Sequence, residues 1–149
     1  MTKIRTGQIA TTSEGWSTWT PSWTNLTPSN GTLTYAKYTQ IGKTVFFKLK
    51  FVWGGSTSCS GTVSFSLPVT AHADEVPATG VNVIGHGNAL DSGTNQFNLS
   101  CAMLSTTTAV CNAYNVAGSY ANPNGVNATV PMTWAVNDCL TIRGYYEAA

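Results

Sequence analysis

Apolar and polar residues alternate along much of this chain with a period of two. The clearest stretch sets Val45, Phe47, Leu49, Phe51 and Trp53 against Thr44, Lys48 and Lys50. Successive side chains of a strand point to opposite faces, so the odd positions predict a buried face and the even positions a solvated one. Upstream, Leu33 and Tyr35 lead toward Tyr38 and Ile41, and Gly42-Lys43 places glycine first in a two-residue connection, which suits a type II′ hairpin. Val63, Phe65, Leu67 and Val69 alternate with Thr62, Ser64, Ser66 and Pro68. Further runs cover 81–84, 96–104 with Phe97, Leu99, Cys101 and Met103 inward, and 109–116. Val126, Ala128, Val130, Met132, Trp134 and Val136 predict another inward face before Asn137-Asp138 turns the chain into Leu140, Ile142 and Tyr146. About eight strands separated by turn residues predict an all-β fold, an antiparallel β-sandwich of jelly-roll type.

The first residues lack this rhythm, so 1–15 predict an extended N-terminal arm or linker ahead of a single domain over 16–149. In the run Trp16, Trp19, Trp23, Pro21 argues against a central strand. An edge segment is expected, its indoles covering apolar surface of the body or of a neighbouring subunit.

Composition supports this picture. About 62 of the 149 residues are Thr, Ser, Asn or Gly, which favours strands and turns and excludes a helical bundle. Only 9% of residues are charged, against about 25% in an ordinary domain. The net charge of +1 leaves no broad basic face for a phosphate backbone, so nucleic acid is not an expected partner. Lys37, Lys43, Lys48 and Lys50 fall on the predicted hairpin, where they read as a solvated or edge-guarding strand face. No run of 18 apolar residues and no apolar signal core in the first ten residues predict synthesis in a cytoplasm without membrane insertion.

Cys59, Cys101, Cys111 and Cys139 allow three disulfide pairings. If 105–107 form a hairpin tip, Cys101 and Cys111 face each other across two strands, which leaves Cys59 for Cys139. Their spacing lacks the close ligand pairs of a zinc site. His72 and His86 lie in the loop-like segments AHADE and GHGNALD with no GxSxG beside them. Neither a nucleophilic triad nor a His72, Asp74, Glu75 metal cluster is expected. Asp91 and Asp138 have no further support as an acid/base pair, so the expectation is a protein without catalysis, cofactor or metal. Segment 117–125 joins Tyr120 to Ser, Asn and Gly without charge, a mixture found in adaptable contact loops. Tyr114, Tyr120, Asn122 and Asn124 are therefore the candidate binding residues, beside the plain alternative of a long turn. The tryptophans raise a carbohydrate-binding module as another reading, although Trp53 and Trp134 continue inward faces.

The runs Trp16-x-x-Trp19-Thr20-Pro21-x-Trp23-Thr24-Asn25, Asn30-Gly31-Thr32, Tyr38-Thr39-Gln40-Ile41-Gly42-Lys43-Thr44-Val45, Ser66-Leu67-Pro68-Val69 and the closing Gly144-Tyr145-Tyr146-Glu147-Ala148-Ala149 resemble the C-terminal domains of bacteriophage tail-fibre and minor tail proteins. The likeness spans 16–149. It implies a virion protein without enzymatic activity, usually a homotrimer, that contacts other virion proteins and binds a bacterial surface glycan or another envelope receptor. A capsid-decorating protein docked by its N-terminal arm is the alternative this resemblance leaves open. Disulfides formed after release from the cell suit such a particle-surface protein.

Overall fold

The alternation produces strands nearly everywhere it occurs. A computed structural model describes residues 15–149; the expected arm over 1–15 lies, Gly15 apart, outside the described residues. The strands are β1 (Ser17–Thr18), β2 (Trp23–Thr27), β3 (Thr32–Ile41), β4 (Thr44–Val52), β5 (Ser58–Ser66), β6 (Val83–Asp91), β7 (Asn95–Ser105), β8 (Thr108–Asn115), β9 (Asn122–Gly125) and β10 (Cys139–Glu147). One 3-10 turn, Ala73–Glu75, precedes β6. All pairings are antiparallel, in the order β1-β3-β4-β10-β6-β7-β8-β5-β2, with β9 added to β8.

The first and last strands of that order come from one short piece of chain. Between them, the Trp19 N–H donates to the Ala36 carbonyl on β3, its indole Nε1–H to the Ser66 carbonyl on β5, and the Ser66 N–H to the Ser22 carbonyl. The Trp-rich segment thus belts the two ends of a single curled, sandwich-like sheet. Phe47 of β4 and Phe65 of β5, five steps apart along the sheet, meet across its interior with ring centroids 6.3 Å apart. Trp19 adds an edge contact to Phe47, and Trp23 packs on Phe51 and Phe65. Val45, Phe47, Leu49, Phe51, Val63, Phe65, Leu99, Cys101, Leu140, Ile142 and Tyr146 complete the buried face that the pattern predicts. In the β3–β4 hairpin Gly42 alone has a positive φ, +59°, as a type II′ turn requires.

Three expectations need correction. Residues 126–136 do not form a strand. Only an isolated bridge joins Asn127 to Val130, and Ala128 and Val136 are exposed. Pro131 has no N–H to give a ladder, and the segment instead stacks Trp134 on Trp53 at 3.9 Å with its indole N–H on the Asn127 carbonyl. The GHGNALD segment is strand, not loop. Its glycines lie against β10, where a Cβ on Gly87 would collide with the Thr141 carbonyl and one on Gly85 with the Arg143 carbonyl. Finally, all four cysteines are free thiols. Cys59 lies on the core face of β5, opposite buried Leu26, whereas Cys139 shares the outer face of β10 with Val52 of β4, so the Cys59–Cys139 pairing does not form.

Candidate functional site

The outward positions of β4 and β10 are set by the inward ones. With odd residues of β4 in the core, Phe46, Lys48 and Lys50 face out; with Leu140, Ile142 and Tyr146 inside, Arg143 and Tyr145 face out. The register pairs Tyr145 with Phe46 and Arg143 with Lys48. β3 contributes Tyr35 and Lys37, and β6 contributes His86. These strands floor a groove of about 890 Å³. Trp16 stands over the floor, with the Lys48 Nζ 4.3 Å from its ring centroid. Glu75, Asn82 and Val83, from the segment leading into β6, also line the groove.

Phe46 and Tyr145 are exposed aromatics on the solvent face, their centroids 6.1 Å apart and their planes tilted by 43°. Glu75 is held in place: its carboxylate accepts from the Asn82 side-chain amide and from the Glu147 N–H at 2.7 Å. The only ion pairs among the described residues are Lys43–Glu147 at 3.8 Å and His72–Asp74 at 3.5 Å. The groove's Lys37, Lys48 and Arg143 therefore have no ion-pair partner there. An aromatic surface beside unpaired donors can hold a polar ligand that has an apolar ring face.

The residues singled out in the sequence are dispersed. Trp16 lines the groove, whereas Trp19 and Trp23 turn inward. Tyr114, Tyr120, Asn122 and Asn124 are all exposed on the β8–β9 hairpin and do not line the groove. Asp138 is buried as a structural staple, its carboxylate accepting the Ser92 N–H at 2.9 Å and the Ala135 N–H at 2.6 Å. Asp91 ends β6. His72 accepts the Asp74 N–H at the start of the 3-10 turn. Among the described residues no three His, Cys, Asp or Glu side chains gather as a metal site would need.

Cys101 and Cys111 are directly opposite in the β7–β8 register. The Cys111 carbonyl accepts from Val126, away from β7, and the N–H of Met103, two residues after Cys101, donates to Asn82, away from β8. The two thiols thus occupy a non-hydrogen-bonded pair, the closer kind. The bond from Cys111 and complete burial push the Cys101 thiol well above its ordinary range.

Phe46, Arg143, Tyr145 and His86 were not recognisable as a group in the sequence. The available signal was an aromatic on the polar face of two strands; the missing information was the pairing of β4 with β10, which are far apart in the chain. Comparison of the chain with family models, curated proteins and solved structures finds no match.

Proposed function

We propose that this chain is a non-enzymatic adhesion domain of a bacteriophage virion, of the tail-fibre or tail-tip kind, which holds a bacterial surface glycan in the groove between Trp16 and Tyr145. The observation that carries the reading is the groove itself: exposed Phe46 and Tyr145 beside hydrogen-bonding side chains on a sheet face. Sugar rings present C–H faces to aromatic surfaces and hydroxyls to polar neighbours, so this lining suits them. The virion placement comes from the tail-protein-like runs over 16–149 and agrees with an all-β, charge-poor chain. A homotrimer with other virion proteins as neighbours belongs to the same proposal.

A fluorescent fusion tested on bacterial cells and on isolated envelope polysaccharide examines this directly. Attachment should be saturable and should fall at least about tenfold with Tyr145→Ala, as losing one aromatic anchor at a contact costs roughly 2 kcal/mol. Attachment that survives Tyr145→Ala and Phe46→Ala together would reject the groove. Light scattering that reports only a monomer at high concentration would remove the trimer.

A further inference from the structure

The strand register gathers three cationic side chains and one histidine into a line. Lys37 stands opposite Lys48, Lys48 opposite Arg143, and Arg143 opposite His86. Directly opposed residues share a face, so these four side chains cross β3, β4, β10 and β6 as one row. Three inter-strand steps make it about 14 Å long. Lys50 extends the charge one row along the same face, beside Tyr35. Like charges directly opposite one another weaken a sheet. The groove's one carboxylate among the described residues, Glu75, bonds to the Asn82 amide and the Glu147 N–H and makes no ion pair with the row. The neighbouring row toward the hairpin end of β4 is aromatic, Phe46 and Tyr145, and beyond it come Thr44 and Glu147.

We propose that the groove selects an acidic glycan, a chain of sugars bearing carboxylate or phosphate groups. The proposal rests on the adhesion reading and adds the ligand's charge. The row binds the anionic group, while the Phe46–Tyr145 pair takes the adjoining ring face. A single row of cations beside aromatic and polar rows matches a ligand charged at intervals. A polynucleotide is charged at every residue, and along the strand direction it would meet Glu75 and Glu147 after the aromatic row.

Titration calorimetry on the whole chain tests this with four probes at low salt: hexagalacturonate, its full methyl ester, an oligomeric glycerol phosphate, and a six-residue oligothymidylate. The expected result is binding of hexagalacturonate or the glycerol phosphate, weakened by salt. Lys48→Gln combined with Arg143→Gln should weaken it about tenfold or more, since bonds to charged groups are the strong ones. Both side chains are on the outer face, and an unchanged circular-dichroism spectrum and melting temperature would show the fold intact. The methyl ester should bind at least about tenfold more weakly than the acid if hexagalacturonate is the ligand. Ester binding equal to that of a hexagalacturonate that does bind, indifference to the double variant, tighter binding of oligothymidylate, or no binding of either acidic probe would overturn the acidic preference. The adhesion reading has a separate measure: cell attachment lost in Tyr145→Ala keeps it standing even when the charge preference falls.

Discussion

Replacing Tyr146 by Phe removes one oxygen from the core and leaves the ring. Tyr146 is 2% exposed, and its hydroxyl donates to the Val69 carbonyl at 2.7 Å and accepts the Val69 N–H at 3.1 Å. It acts as a surrogate strand for a residue that follows β5, tying that segment to β10. Without it, two backbone groups lose their partner beside the core, a cost of roughly 1–3 kcal/mol. For a chain of this size that is a fall in melting temperature of about 3–10 °C. The hydroxyl also contributes to stability at alkaline pH. Burial is the main cause that pushes the phenol up to about 12 from its ordinary value of 10, while the bond to Val69 opposes the rise. The unfolded chain therefore ionises first as pH rises. This contribution is fully present below pH 10 and is lost as pH climbs through about 12, amounting to roughly 2–3 kcal/mol. Urea unfolding at pH 7 and at intervals from 9 to 12 measures both effects. Tyr146→Phe should be less stable at neutral pH and should lose stability less steeply above pH 10. A variant matching the parent at both ends of that range would refute the assignment.

Other consequences are simpler to check. Lys37→Gln relieves the repulsion from Lys48 and should raise stability by roughly 0.2–1 kcal/mol at low salt, a gain that shrinks in thermal melts as salt is added. Asp138→Ala strips the acceptor from the Ser92 and Ala135 N–H groups and should cost roughly 2–4 kcal/mol in urea unfolding. With a disulfide-exchange reagent at pH 8, half-buried Cys59 should react first; Cys101, Cys111 and Cys139 should react only on unfolding, because they are enclosed and Cys101 ionises late. Even Cys59 should be slow, since burial raises its thiol too.

The two-residue rhythm made the buried faces of β4, β5, β7 and β10 legible, because a half-buried strand imposes that rhythm directly. It misled at 126–136, where alternation arises without a ladder and Pro131 denies one. It fell silent at Gly85 and Gly87, where a residue type associated with turns serves instead to let β10 approach. The groove was out of reach for another reason. Whether Phe46 sits beside Tyr145, or Lys48 beside Arg143, depends on how segments nearly a hundred residues apart slide past each other, and local sequence does not carry that alignment. The Trp-rich segment was legible as an apolar cover, but not as a link between β3 and β5.

That link has a bearing on how the molecule assembles. A clasp can shut only when both parts it joins are already in hand, and here those parts, β3 and β5, arrive later in synthesis than the clasp itself. The indoles of Trp19 and Trp23 must therefore wait, greasy and unhoused, until the strands they join have been made.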